Sequence, residues 1–156
     1  GQSLSNPYTG ILSIFSTRIK NHNGLNIFED GKETRDFVYI EDVVDATILG
    51  LEKDTANGHT FNVGTGVATD VLTVANTLIK KYGIDVPVTI SGNYRLGDIR
   101  HNYADITLAK TLLNFEPKWT FDVGIEQFAK WVDNQDIQED KYEASIEEMK
   151  HKGLYK

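Results

Sequence analysis

The sequence predicts an α/β chain, a small mixed domain in which short strands alternate with amphipathic helices. Apolar residues recur at helical spacing in several segments, and short β-type runs bounded by Gly, Asn and Asp separate these segments. No internal repeat interrupts the alternation. The predicted strands are few and short, whereas a typical sheet has about five or more strands. We therefore expect this chain to be part of a larger architecture.

The N-terminal elements are predicted as loop, helix and two strands. The opening residues 1–10 are rich in Ser, Asn and Gly and predict a loop. Apolar residues at helical spacing over 11–19 predict the first helix, which the turn at 22–24 ends. The apolar runs at 25–28 and 35–39 predict two strands.

The central elements are predicted as helix, strand and helix. Five apolar residues mark one face of a helix that the Asn57-Gly58 turn closes: Ile40, Val43, Val44, Ile48 and Leu51. Residues 60–63 predict a strand. Thr69 or Asp70 can cap the next helix, and Gly83 is a typical C-terminal stop.

The following segments predict an edge strand, a loop and two helices. Pro87 interrupts the strand predicted over 86–90, and proline in a sheet is confined to edges. Residues 91–103 are polar and loop-like. Asp105 can cap a short helix, and apolar spacing predicts a further helix over 122–134.

The sequence divides by composition into two parts. Residues 1–134 carry the alternating pattern and are expected to form one domain. Residues 135–156 are highly charged and weakly amphipathic, so they predict a C-terminal helix or tail.

Composition excludes several classes of function. The 156 residues have the length of about one domain and carry a net charge of −7. This acidic balance argues against nucleic acid and anionic membranes as partners. The absence of cysteine excludes disulfides and thiolate metal sites, and it fits the cytoplasm. The four histidines lack ligand spacing, so no metal site is expected.

Arginine is the residue type that points to a ligand. The chain contains four arginines, and three of them, Arg35, Arg95 and Arg100, lie in short segments rich in Gly and Asp. The planar guanidinium suits bidentate contact with phosphate oxygens. An acidic chain that binds a phosphorylated ligand would need such local cations. The alternative for each arginine is an ordinary surface ion pair.

The segment 95–100 combines these features. Gly97 allows close backbone approach, and the Asp98 carboxylate can accept hydrogen bonds from two hydroxyls. The combination suits a ribose diphosphate, and the alternative is an Arg–Asp pair that orders a loop.

The chain lacks the common catalytic and cofactor motifs. Residues 61–66 match the start of a dinucleotide fingerprint, but Thr69 stands where the third glycine would be, so a tight turn is the better interpretation. No tyrosine is followed four residues later by lysine, and no nucleophile elbow occurs.

Six segments in register resemble a known family. The chain is similar to the C-terminal half of extended short-chain dehydrogenase/reductases (SDRs), the NAD-dependent epimerase/dehydratase family that acts on nucleotide sugars, and especially to the UDP-glucose 4-epimerase-like members. The segments are 27–31, 35–39, 62–66, 95–100, 104–105 and 115–117.

The resemblance implies that residues 1–134 form a nucleotide-sugar substrate-binding domain, with a pocket for the base and the sugar. Asn26 and Phe28 lie where the family holds the nucleobase. The loop from Asn6 to Tyr8 would approach the sugar and the diphosphate.

The resemblance also implies how the diphosphate is held. Arg35 and Arg95 would grip the two phosphates, and Asp98 would accept the ribose hydroxyls. Arg100 is a weaker candidate. The central expectation is that Arg35 and Arg95, although distant in sequence, meet at one diphosphate.

The resemblance implies that the chemical step depends on the N-terminal half of the family's enzymes. In the family, a tyrosine acts as base while NAD removes and returns a hydride, and both belong to the N-terminal half. We therefore expect no catalytic residue and no bound cofactor in this chain, which would be inactive alone. The parent enzyme is expected to be a homodimer. Apolar faces exposed in the fragment would favour self-association.

Three functions remain open at this level. The first is the substrate-binding part of an epimerase acting at C4 of a UDP- or dTDP-hexose. The second keeps the fold and changes the chemistry to a 4,6-dehydratase, a decarboxylase or a reductase. The third is a non-enzymatic module, either a nucleotide-sugar sensor or an oligomerisation domain.

Overall fold

The computed structural model describes Leu4 and residues 10–156. These residues form two compact units. The first unit comprises the described residues of Gly1–Glu33, together with Asp70–Arg100 and Glu126–Lys156. The second unit comprises Thr34–Thr69 and His101–Ile125. Both contain helices and short parallel strands, as the predicted mixed α/β class requires.

The regular elements are short. The helices are α1 (Ile11–Lys20), α2 (Ile40–Glu52), α3 (Val71–Tyr82), α4 (Phe121–Asp133) and α5 (Tyr142–His151). The strands are β1 (Leu25–Ile27), β2 (Thr34–Arg35), β3 (Thr69–Asp70), β4 (Val88–Ile90) and β5 (His101–Asn102). A 3₁₀ turn at Asp54–Ala56 and a π-helical segment at Ala109–Leu113 complete the described elements. The strand orders are β1-β4 and β3-β2-β5.

The first unit is built on the parallel pair β1 and β4. Leu25 is aligned with Val88, and β4 begins immediately after Pro87. The pair is a two-stranded sheet, so the predicted edge position of β4 is confirmed. The apolar faces of α1 and α3 pack onto this pair, where Ile19, Ile27 and Leu78 are fully buried.

Helix α3 shows why its bounds could be predicted. The Asp70 Oδ1 atom accepts a hydrogen bond of 2.7 Å from the Thr73 N–H group, which satisfies a donor of the first turn. Gly83 ends the helix with a φ of +63°, a conformation that glycine adopts without strain. The predicted cap at Asp70 and the predicted stop at Gly83 are both confirmed.

The second unit has a short parallel pairing and a small core. Strand β2 pairs with β5, with Arg35 aligned to Asn102. The polar sequence predicts a loop at 101–102, whereas these two residues form strand β5. The buried core consists of Ala46, Ala109, Leu113 and Phe115. The Asp105 Oδ1 atom accepts a 2.9 Å hydrogen bond from Thr107 N–H in the turn that precedes Ala109–Leu113. The helical segment itself has no side-chain cap, so the predicted cap at Asp105 is wrong.

In the second unit, the strand predicted over 60–63 is wrong, and the strand predicted over 35–39 is confirmed only at Arg35. Residues 60–63 form no strand, and their side chains Phe61 and Val63 instead pack against the small core. Beyond Arg35, residues 36–39 form no strand either. Their aromatic side chains pack against other rings instead. The Tyr39 ring lies 4.4 Å from the Trp119 ring, centroid to centroid. Apolar composition predicted strands here, but side-chain packing replaces the backbone pairing.

Helix α2 exposes the apolar face that its sequence pattern marks. Ile40 is 63% exposed and Leu51 is 82% exposed, and Val44 and Ile48 are also exposed. The buried side chains of this helix are Asp42 and Ala46. The apolar stripe of α2 therefore identifies the helix correctly without identifying its buried face.

The C-terminal residues form a helix, which was one of the two predicted alternatives. Arg18 in α1 contacts this region: its guanidinium lies 4.3 Å from the Tyr142 ring centroid and 3.3 Å from Asp140 and from Glu143. The described helices are all too short or too polar to cross a membrane.

Candidate functional site

The predicted base-binding and phosphate-binding residues of the first unit lie at the carboxyl ends of β1 and β4. Asn26 is in β1, and Phe28 is the first residue after this strand. Arg95 and Asp98 lie in the segment that leaves β4. Because β1 and β4 are parallel, these residues meet at the same edge of the pair, where α/β proteins commonly bind ligands.

Phe28, Arg95 and Asp98 are brought together in this unit. The Arg95 Nε and Nη2 atoms donate hydrogen bonds of 3.1 and 2.7 Å to Asp98 Oδ2. The Arg95 Cζ atom lies 6.0 Å from the Phe28 ring centroid. Gly97 has a φ of +82°, and the Asp98 N–H group donates to the Arg95 carbonyl across this turn.

The Arg95–Asp98 pair is the alternative that the sequence analysis left open. The Arg95 side chain is 48% exposed, however, so the pair is solvated and is expected to be weak. An exposed guanidinium in such a pair can exchange its carboxylate partner for a phosphate at small energetic cost. The pairing and the predicted phosphate contact are therefore compatible.

Asn26 contacts a tyrosine from the C-terminal helix. Its Nδ2 atom donates a hydrogen bond of 3.2 Å to the Tyr142 hydroxyl. Burial raises the pKa of Tyr142 to about 12, so this hydroxyl stays protonated at neutral pH.

Arg100 contacts a cluster of carboxylates. Its guanidinium donates to Glu29, donates two bonds of 2.8 Å to Asp30, and lies 3.8 Å from Glu33. Hydrogen bonding from Arg100 holds the pKa of Asp30 below its usual range, whereas burial raises the pKa of Glu33. Arg100 thus joins the turn after β1 to the segment after β4.

The same three carboxylates are the one group in the described residues with the spacing of a metal site. Their oxygen atoms lie within 4.8 Å of one another. The Arg100 guanidinium already contacts all three side chains, so a cation would have to displace it. The arrangement is better explained as an ion-paired cluster.

Arg35 belongs to the second unit. It lies in β2 and its Nη1 atom donates a 2.8 Å hydrogen bond to the Thr34 carbonyl. Its predicted meeting with Arg95 at one diphosphate stays a prediction. The predicted residues Asn6 and Tyr8 lie outside the described residues.

The Gly64-Thr65-Gly66 turn surrounds a carboxylate of its own unit. The N–H groups of Thr65, Gly66 and Ala104 donate to the Asp36 carboxylate at 2.9–3.2 Å, and the Thr65 hydroxyl donates at 2.6 Å. Burial raises the pKa of Asp36, but these hydrogen bonds outweigh it and leave the pKa below its usual value. A Cβ atom at Gly64 would lie 2.5 Å from Asp36 Oδ2, which explains the glycine. The turn therefore does not fit the diphosphate of NAD, because its amides already bind Asp36.

Sequence reasoning missed the C-terminal tyrosines. The Tyr155 ring lies edge-on to Phe28, with centroids 5.5 Å apart and planes at 72°. Tyr155 and Tyr142 come from a charged segment without motifs, so no local signal marks them. Only their contacts with Phe28 and Asn26 connect them to the candidate site.

Open parallel α/β sheets commonly bind ligands beyond the carboxyl ends of their strands. Comparison with known proteins identifies the class more closely. The family model described as GDP-mannose 4,6 dehydratase matches residues 9–128. The chain belongs to the NAD-dependent nucleotide-sugar epimerase/dehydratase family of extended SDRs, which confirms the family resemblance seen in the sequence.

Curated relatives include 4-epimerases. A dTDP-L-rhamnose 4-epimerase of Burkholderia thailandensis is 36% identical over 132 residues, which are 85% of this chain and 36% of that protein. A UDP-glucose 4-epimerase of Mycolicibacterium smegmatis is 33% identical over 127 residues, which are 81% of this chain and 40% of that protein.

A solved structure agrees with these relatives. The crystal structure of UDP-glucose 4-epimerase from Thermotoga maritima with UDP-glucose superimposes with a TM-score of 0.73 at 34% identity. The match covers 81% of this chain and 41% of that protein. The chain thus spans about two fifths of the length of the relatives that it matches.

Proposed function

We propose that this chain is the substrate-binding, C-terminal part of an NAD-dependent nucleotide-sugar 4-epimerase that acts on a UDP- or dTDP-hexose. Asn26 and Phe28 hold the base, Arg35 and Arg95 bind the diphosphate, and Asp98 accepts the ribose hydroxyls. The grouping of Phe28, Arg95 and Asp98 at the ends of β1 and β4 carries the proposal. An aromatic ring, a cation and a carboxylate within one small region match the three parts of a nucleoside diphosphate.

The reaction type is supported by the relatives. The two curated relatives above are 4-epimerases. The principal alternative is a 4,6-dehydratase, because the matching family model carries that description. Both reactions place a nucleotide sugar in the same kind of pocket, so the binding residues proposed here serve either one.

NAD belongs to the parent enzyme in this proposal, and this chain contributes substrate binding alone. The glycine-rich turn at 64–66 directs its amides to Asp36, as described above. The chain therefore binds and orients the nucleotide sugar and is inactive by itself. Residues 1–134 form this binding part, and the C-terminal residues 135–156 follow it.

Calorimetric titration with UDP and dTDP tests the binding site. We expect Arg95→Ala to weaken binding by about 1.5–3 kcal/mol, since it removes a charge-assisted contact to phosphate. Lys80→Ala is the matched control, because it removes one positive charge at the end of α3 in the same unit. Equal affinities for wild type and Arg95→Ala would overturn the assignment of Arg95.

Product analysis on the complete gene product tests the chemistry. With UDP-glucose as substrate, an epimerase yields UDP-galactose, whereas a 4,6-dehydratase yields a 4-keto-6-deoxy sugar. The coding sequence upstream separates both from a non-enzymatic module. A Gly-rich turn and a Tyr-x-x-x-Lys motif in frame support the enzyme, and their absence favours the module.

A further inference from the structure

The last residues of the chain pair with the segment that carries Arg95. Tyr94 and Lys156 exchange two backbone hydrogen bonds of 2.8 and 3.0 Å, and the Leu96 N–H group donates to the Leu154 carbonyl at 2.9 Å. The family model matches residues 9–128, so only the 154–156 side of this pairing lies beyond the matched region. Residues 154–156 thus lie directly beside the segment that carries Arg95.

The pairing places Tyr155 on the same face as Arg95. These two residues form the antiparallel bridge, and directly opposed residues of antiparallel strands project to one face. Phe28 adjoins both, because its ring centroid lies 5.5 Å from that of Tyr155 and 6.0 Å from Arg95 Cζ. Two aromatic rings and one guanidinium therefore surround a single region.

The Tyr155 ring is held in position. Its hydroxyl accepts a 2.8 Å hydrogen bond from Asn93 Nδ2, and the Lys150 Nζ atom lies 5.8 Å from its ring centroid. The side chain is half-buried, so part of it is accessible. A fixed and partly accessible ring can contact a ligand with little further loss of side-chain entropy.

We propose that Tyr155 forms a third side of the nucleobase site, together with Phe28 and Arg95, so that residues 154–156 belong to the binding site. This inference rests on the proposed function, since it requires a nucleotide with a phosphate at Arg95 and a base at Phe28. The flat base contacts the Tyr155 ring as it contacts Phe28. The Tyr142 hydroxyl accepts a hydrogen bond from Asn26, so C-terminal residues contact both predicted base-binding residues.

Two probes separate a base contact from a structural role. UDP carries a base, whereas inorganic pyrophosphate offers only the phosphates. We expect Tyr155→Ala to weaken UDP binding about tenfold and to leave pyrophosphate binding unchanged. Tyr155→Phe keeps the ring and should stay within about twofold of wild type. Arg95→Ala should weaken both probes.

Tyr94→Ala is the matched control. Tyr94 is an exposed tyrosine in the same backbone pairing, and adjacent residues of a strand project to opposite faces. We expect it to leave the affinity for both probes unchanged. Circular dichroism confirms that each variant is folded before titration.

The outcomes distinguish this inference from the proposed function. If wild type binds neither probe, the proposed function is wrong and the inference is lost with it. If wild type binds both probes and Arg95→Ala weakens both, but Tyr155→Ala binds UDP normally or more tightly, only the role of Tyr155 is wrong. An equal loss of UDP and pyrophosphate binding in Tyr155→Ala would also overturn that role.

Discussion

One helix from each unit shows how differently an apolar stripe can be buried. In the first unit, α3 buries Val74, Ala75 and Leu78. In the second unit, α2 has an equally clear apolar stripe but exposes it, and it buries Asp42 and Ala46. Similar helix patterns thus lead to opposite burial. An amphipathic pattern predicts a helix, but the neighbouring elements decide which face is covered.

Two carboxylates of the second unit, one buried and one half-buried, accept backbone hydrogen bonds from other segments. Asp42 accepts hydrogen bonds of 2.9 and 3.1 Å from the N–H groups of Lys118 and Trp119. Asp36 accepts from the backbone at Thr65, Gly66 and Ala104. Each carboxylate thus joins loop segments through their backbone N–H groups. We therefore expect the two units to respond differently to core truncation, to loss of carboxylates and to pH.

Truncating an apolar side chain should give the largest difference in unfolding free energy between a variant in α3 and a variant in α2. Leu78→Ala creates a cavity at a fully buried position, and we expect a loss of about 2–5 kcal/mol in the free energy of unfolding. Leu51→Ala on α2 should change it by less than about 0.5 kcal/mol, because that side chain is 82% exposed. Denaturant titration measures both. Similar losses in the two variants would show that the α2 stripe is covered in solution.

Removing a buried carboxylate should give the next largest effect. Asp42→Ala leaves the Lys118 and Trp119 N–H groups without their acceptor, and we expect a loss of about 1.5–3 kcal/mol by denaturant titration. Asp42→Asn keeps one acceptor oxygen and should lose less. Asp45→Ala is the control, since it removes only an exposed ion pair with the Lys118 ammonium. If the control is as destabilised as Asp42→Ala, the buried hydrogen bonds are not the cause.

Two glycines of the second unit should respond with opposite signs. Gly64→Ala places a Cβ atom 2.5 Å from Asp36 Oδ2 and 2.7 Å from Ala104 Cβ, and we expect a loss of about 1–3 kcal/mol. Gly50→Ala lies inside α2, where nothing lies within 4 Å of the new atom, and it should gain about 0.5–1 kcal/mol. Thermal unfolding of both variants measures the difference. A stabilised Gly64→Ala protein would contradict the close approach of Asp36.

A fall in pH should change the stability of the fold in opposite directions through two carboxyl groups. The pKa of Asp36 in the folded protein lies below the ordinary value of 3.8, so its contribution is present above that value and is lost as the pH falls below it. The pKa of Glu33 lies above the ordinary value of 4.5, so its ionised form destabilises the fold as the pH rises through the window above 4.5.

The two variants Asp36→Asn and Glu33→Gln isolate these effects. We expect Asp36→Asn to flatten the loss of unfolding free energy below pH 3.8, and Glu33→Gln to flatten the loss above pH 4.5. Denaturant titrations at a series of pH values give both curves. An unchanged acid limb in Asp36→Asn would mean that other carboxyl groups control it.

The exposed stripe of α2 should affect association more than stability. Contiguous apolar surface favours contact between copies, as we expect for this chain. Sedimentation velocity at increasing concentration should show self-association of the wild type. Ile48→Glu should abolish it with little change in unfolding free energy, since Ile48 is 44% exposed. If the wild type stays monomeric at high concentration, the apolar face of α2 does not cause self-association.

Sequence alone identified most helices and the family. The bounds of α3 followed from Asp70 and Gly83 because caps and stops are local interactions. The six motifs identified the family, because their order along the chain is a property of the sequence itself. The strand predicted at 60–63 does not form, and the one predicted at 35–39 forms only at Arg35. A strand requires a partner, and no local pattern specifies one.

The tertiary structure decided which side chains meet. It brought Tyr155 to Phe28 and Arg95, 60 or more positions earlier in the chain, through backbone pairing that composition does not encode. It also decided that α2 buries Asp42 instead of its apolar stripe. Periodicity and capping act within a few residues, whereas burial and site assembly depend on contacts between distant segments. Local chemistry therefore determined the helices and the family motifs, and long-range packing determined the candidate site.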